Sequence, residues 1–199
     1  MRIETSGLAG VITLVPQPHH DNRGFFTRTF DAEIFDEWVV GAGRWAGDAV
    51  PIWTGNAPSA AAFVQDSQSR STRGVVRGMH GRGGAGEAKL VRCARGAVHD
   101  VLVDARPQSP TFGRYEAFLL DDISFRHLYV PPGMLHGFQA LTDFADVCYR
   151  IDRPHDPAED IAVAHDDPGL GIEWPLPPAL LSPRDAAAGS WAELVTHLR

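Results

Sequence analysis

Nine short runs of β-branched and aromatic residues recur along the chain with turn signals between them: GVITLV, GFFTRTF, AFVQDS, KLVRCA, AVHDVLVDA, RYEAFLL, HLYVPP, HGFQAL and DVCYRID. Strand-length runs at this spacing, without alternating helices, predict an all-β sandwich or barrel of the jelly-roll kind rather than a doubly wound sheet. In AVHDVLVDA the period of two puts Val98, Asp100, Leu102 and Asp104 on one face and Ala97, His99, Val101 and Val103 on the other, so at least one face is strongly apolar. Helical patterning is confined to short peripheral segments, DAEIFDEW with Asp31 as N-cap and the C-terminal stretch 185–199. Residues 40–62 are rich in Gly, Ala and Pro with no clean period and read as a loop insertion within one domain spanning 1–199.

A net charge of −7 argues against a nucleic-acid or anionic-membrane partner, because both depend on an excess of cations. No apolar run approaches the ~20 residues that span a bilayer. The opening MRIETSGLAG lacks the pattern of a secretion signal, and Cys93 and Cys148 share no CxxC spacing, which together predict a cytoplasmic protein with two buried thiols. An anionic small molecule would need cations placed locally. Arg23 and Arg28 around RGFFTR, and Arg70, Arg73, Arg77 and Arg82 around the histidine stretch, could supply them.

That stretch, VVRGMHGRGGAG at 75–86, admits three chemistries. Its glycines satisfy G-x-G-x-x-G, but the next segment reads as strand, turn at Gly96 and strand, so a hairpin loop is expected instead of a dinucleotide cradle. The P-x-G-x-x-H of YVPPGMLHGF resembles the second motif of the cupin superfamily. A metal held by His80 and His136, with Glu87 as a third ligand, would however face Arg82 where cupins place their second histidine. His80 can also serve as a free base, since imidazole titrates near ~6.5.

Seven collinear blocks carry a further resemblance: DNRGFFTRTF, FVQDSQSRSTRGVVRGMH, KLVRCARGAVHDVLVDAR, SPTFGRYE, LYVPPGMLHGFQAL, ADVCYRID and GIEWPLPPALLSPRD. On these the chain resembles the cupin-fold nucleotide-sugar epimerases typified by dTDP-4-dehydrorhamnose 3,5-epimerase. The resemblance implies a cupin-type jelly-roll barrel and a nucleoside-diphosphate 4-keto-6-deoxy sugar as substrate. It implies chemistry by proton transfer without cofactor or metal. His80 would be the base, Asp185 its carboxylate partner, Tyr149 the acid on the opposite face and Lys89 the cation beside the C4 oxygen. His136, Arg77 and Arg23 would contact the sugar or diphosphate. Arg23 and Phe26 would reach into a neighbouring subunit, implying a homodimer.

The chain departs from the family at the nucleoside end. Arg28 stands where glutamate is usual, Ser67 replaces asparagine beside Gln65, and Arg82 replaces glutamine. These changes leave open a CDP-linked or other nucleotide sugar, and inversion at C3, C5 or both. A 3,4-ketoisomerase and a non-catalytic sugar-nucleotide-binding cupin are the alternatives.

Overall fold

The structure, a computed structural model, describes residues 1–40 and 57–198. One antiparallel sheet has six strands in the order β1 (Arg2–Thr5), β2 (Ile12–Val15), β10 (His127–Val130), β7 (Lys89–Arg95), β12 (Phe144–Ile151), β5 (Gln65–Thr72). A second has five, β13 (Asp160–Ala162), β6 (Val76–Arg82), β11 (Met134–Ala140), β8 (Ala97–Asp104), β9 (Tyr115–Asp121). A hairpin of β3 (His19–Asp21) and β4 (Gly24–Phe26) stands apart from both. This is the expected jelly roll.

Strand alternation sorts the apolar side chains into three layers. Val91, Val98, Leu102, Leu128, Phe138 and Val147 fill the space between the sheets. Leu90 and Tyr129, one residue out of phase, pack outside the six-stranded sheet under Phe35 and Val39. Those two come from α1 (Ala32–Phe35) and the π-helical turn Asp36–Val40 that continues it, and Asp31 caps α1 by accepting from the Ile34 amide at 3.2 Å. Val101, Val103 and Leu135 pack outside the other sheet, against Trp174, Trp191 and Leu194. The apolar face expected for residues 97–104 therefore points out of the barrel, and Asp100 and Asp104 lie on the inner one.

Three expectations need amendment. Residues 83–88 join β6 to β7, which belong to opposite sheets, so the glycine loop is a crossover rather than a hairpin. The C-terminal segment forms two helices, α2 (Pro183–Ala186) and α3 (Trp191–Leu198). Gly189 accepts from the Ala164 amide at 2.9 Å and is drawn out of helical conformation, and Ser190 restarts the helix through a reciprocal pair with Glu193. Of the expected insertion, 41–56 lie outside the described residues, while Ala60–Ala62 form a single 3-10 turn against the Phe35 cluster.

The SPTFG block turns out to be structural. Asp104, fully buried, accepts from Arg106 Nε at 2.8 Å and Nη2 at 2.7 Å, and from the hydroxyls of Ser109 and Thr111 at 2.5 Å each. Burial pushes this carboxyl up, but the four donors outweigh it and hold it below the ordinary carboxylate range. Removing one member of a buried pair costs about 3–5 kcal/mol. Asp104→Ala is therefore expected to lower the unfolding free energy by about that amount in urea titrations, and a loss under about 1 kcal/mol would contradict the assignment.

Candidate active site

A cavity of about 710 Å³ opens inside the barrel, lined by Ser69, Arg77, His80, Lys89, His136, Tyr149, Arg184 and Asp185 among others. Strand geometry explains the convergence. On β7 and β12, Lys89 and Tyr149 share the inward phase of Val91 and Val147. His80 on β6 is the cross-strand partner of His136 on β11. The two strands approach closely because a Cβ at Gly78, which has φ +121°, would lie 2.5 Å from the Gly137 Cα.

His80 Nε2 lies 2.5 Å from Asp185 Oδ1. A carboxylate only accepts, so the Nε2 hydrogen points at Asp185 and the lone pair is left on Nδ1. Asp185 also sits in the first turn of α2, where Ser182 Oγ accepts from its amide at 3.1 Å. The helix is docked by the Val76 amide donating to Leu180 O and the Ala179 amide donating to Gly74 O. Burial pushes the His80 imidazole below its ordinary value. Asp185 opposes that shift, and Arg184 and Lys89 add to it.

His136 Nε2 meets Asp100 Oδ2 at 2.9 Å, both residues being buried. The Tyr149 ring lies edge-on to His136 with centroids 6.1 Å apart, and its hydroxyl is 3.2 Å from Ser69 Oγ. Burial pushes the Tyr149 phenol well above its usual value. Lys89 Nζ is 2.9 Å from Glu87 Oε1. Arg77 donates to Ser71 Oγ at 3.0 Å and to Arg70 O at 3.2 Å. Arg77, Lys89 and Arg184 bring three cations to the cavity wall, beside the carboxylate of Asp185, in a protein of net charge −7.

The structure brings together His80, Tyr149, Asp185, Lys89, Arg77 and His136, and leaves five expected residues outside the lining. Arg23, on the turn of the β3–β4 hairpin, pairs with Asp21 and is 86% exposed in its side chain, while Phe26 is 70% exposed. Arg28 pairs with Asp31 at 2.5 Å. Gln65 and Ser67 lie on β5, 3.4 Å apart. Ser69, Asp100 and Arg184 escaped the sequence reading. The inward phase of Asp100 was a usable signal, because a carboxylate inside a barrel requires a partner. Among the described residues no three His, Cys, Asp or Glu side chains cluster to hold a metal, and Glu87 is engaged by Arg82 and Lys89. The glycine loop borders a separate crevice of about 360 Å³.

The sequence pattern of dTDP-4-dehydrorhamnose 3,5-epimerases matches residues 5–193. A dTDP-4-dehydrorhamnose 3-epimerase from Streptomyces niveus is 40% identical over 194 residues, 97% of this chain and 85% of that relative. Among solved structures, a 4-keto-6-deoxy sugar epimerase from the novobiocin cluster of Streptomyces spheroides superposes with a TM-score of 0.85 at 40% identity, covering 100% of this chain and 92% of that one. A dTDP-6-deoxy-D-glucose-3,5-epimerase from Legionella pneumophila, in complex with dTDP-4-keto-L-rhamnose, gives 0.83 at 34% identity, covering 97% and 96%.

The electrostatics of the pair yield a signed expectation. The His80 ring followed by NMR titrates below the ordinary ~6.5, and Asp185→Asn, which removes the group that raises it, moves the midpoint further down. A midpoint above the ordinary value, or an upward move in the variant, would contradict this balance.

Proposed function

The chain belongs to the dTDP-4-dehydrorhamnose 3,5-epimerase family, and from that premise we propose that it inverts carbon centres of a dTDP-linked 4-keto-6-deoxyhexose by proton transfer. The observation that carries the reading is an imidazole, backed by Asp185, and a phenol lining one cavity. Burial keeps His80 unprotonated near neutrality and keeps the Tyr149 phenol protonated.

The C4 ketone acidifies the hydrogen on C3. His80 takes that proton, the C–H electrons move into a C3–C4 double bond, and the carbonyl electrons settle on O4 as an enolate. Lys89 offers the ammonium that stabilises the oxyanion. Asp185 holds the imidazole tautomer and offsets the charge of the imidazolium. Collapse of the enolate draws a proton from Tyr149 on the other face, so C3 returns inverted. Solvent then restores Tyr149 and discharges His80. Reactant and product have the same oxidation state, so no redox cofactor is required. In this reading Arg77 and His136, which line the same cavity, hold the diphosphate and the sugar.

The relatives differ in whether C5 follows C3. The Streptomyces niveus relative is named a 3-epimerase and others a 3,5-epimerase, so inversion at C3 is the part of the reading common to both. The protruding Arg23–Phe26 hairpin supports a homodimer in which it completes the neighbour's nucleotide site. Free, buried Cys93 and Cys148 support a cytoplasmic setting, and no helix among the described residues is long and apolar enough to cross a membrane.

Incubating the parent protein with dTDP-4-keto-6-deoxyglucose in deuterated water is expected to place deuterium at C3, with C5 labelled as well if the enzyme acts on both centres. No incorporation would contradict the reaction. His80→Ala should lower kcat by about 10²-fold to 10⁴-fold. Arg23→Ala should raise KM with little change in kcat, as loss of uniform binding does, and an unchanged KM would remove the hairpin from the site.

A further inference from the structure

Lys89 is the only lysine in a chain whose lysines and arginines total 18. It sits at the head of a run of buried charges. Its Nζ meets Glu87 Oε1 at 2.9 Å, and the other oxygen of Glu87 accepts from Arg82 Nε at 3.1 Å and Nη2 at 2.9 Å. Side-chain exposures of 13%, 8% and 5% for Lys89, Glu87 and Arg82 put all three out of bulk water. Arg82 Nη1 then reaches Asp160 Oδ1 at 3.3 Å and the carbonyl of Asp156, and Nη2 meets His155 Nδ1 at 3.0 Å. Asp160 Oδ2 is in turn 2.9 Å from Arg184, the residue before Asp185.

We propose that Arg82 and Glu87 are positioning residues: Glu87 fixes the ammonium of Lys89 at the wall of the cavity, and Arg82 shares that carboxylate so that Lys89 keeps its positive field. The inference rests on the proposed role of Lys89 at the enolate oxygen. The run from Lys89 through Glu87, Arg82 and Asp160 to Arg184 alternates three cations with two carboxylates and so keeps one positive charge, whereas Glu87 alone would cancel the charge the oxyanion needs. Burial pushes the Glu87 carboxyl up, and Lys89 and Arg82 outweigh that and hold it below its ordinary range. The same guanidinium also ties the β6–β7 loop, through Asp160, to the helix that carries Asp185. This gives a physical reason for the cation two residues after His80, and it places Glu87 as a counter-ion.

Lysine labelled with ¹⁵N at Nζ gives a single resonance in this protein, so Lys89 can be titrated without substrate. The ionisable groups around it are Glu87 and Arg82 from the loop and β6, Arg77 and His80 from β6, His136 from β11, Tyr149 from β12, Asp152 just beyond it, and Arg184 and Asp185 from α2. Glu87→Gln is expected to move the Lys89 midpoint down, because the ammonium loses its counter-ion and still faces Arg82. Arg82→Gln is expected to move it up, because Glu87 then serves Lys89 alone. In both variants kcat should fall by about 10-fold or more, short of the roughly 10²-fold to 10³-fold that deletion of an oxyanion donor costs, with KM changing less than about 3-fold. Midpoints that stay put or move in the same direction would overturn the proposal, as would an unchanged kcat in Glu87→Gln. If Arg82→Gln does not fold, the direction in Glu87→Gln decides. A parent protein that turns over no sugar would count against the reaction, while the titration judges the ion chain by itself.

Discussion

Ionisable side chains on the inner face of a barrel are tolerable only when each is partnered, and that constraint organises this molecule. His80 is held by Asp185, His136 by Asp100, Lys89 by Glu87, and Asp104 by Arg106 and two hydroxyls. Around those pairs the interior is filled by Val, Leu and Phe from both sheets. The pairs at His80 and at Asp104 obey the same rule. They differ in what lies beside the pair, the cavity at His80 and the hydroxyls of Ser109 and Thr111 at Asp104.

Burial is the largest influence on both groups and acts on them in opposite senses. Desolvation lowers the His80 imidazole and raises the Tyr149 phenol, so both groups in the cavity favour their uncharged forms at neutral pH, the imidazole with a free lone pair and the phenol with its proton. The aspartate behind His80 limits how far the imidazole can fall, which in the proposed reaction leaves it basic enough to take the C3 proton. The cations along the wall suit a substrate that arrives negatively charged and becomes more so at the oxygen during reaction.

Much of this was legible in the sequence, because strand alternation is a strong local signal. The inward phases of Lys89, Tyr149 and Asp100 can be read from KLVRCA, DVCYRID and AVHDVLVDA once one core residue of each strand is assigned. The collinear motifs supplied His80, Asp185, Tyr149, Lys89, His136 and Arg77 as candidates. What sequence could not supply was pairing between distant elements. That the Ser69 hydroxyl meets that of Tyr149 depends on β5 pairing with β12, whose register sets Ser67 opposite Tyr149 and Ser69 on the diagonal, and that Arg82 reaches Asp160 depends on β6 pairing with β13. The gap at Gly189 was hidden for the same reason, since it depends on a contact with Val163 some 26 residues earlier in the chain.

The central claim is a division of labour across the ring, one residue removing the proton and another returning it. The most direct test is Tyr149→Phe in deuterated water, with exchange at C3 and inversion at C3 measured separately. If His80 still abstracts and returns the proton on its own face, deuterium enters C3 while the configuration is retained. Exchange and inversion lost together, or inversion at the parent rate, would contradict the account.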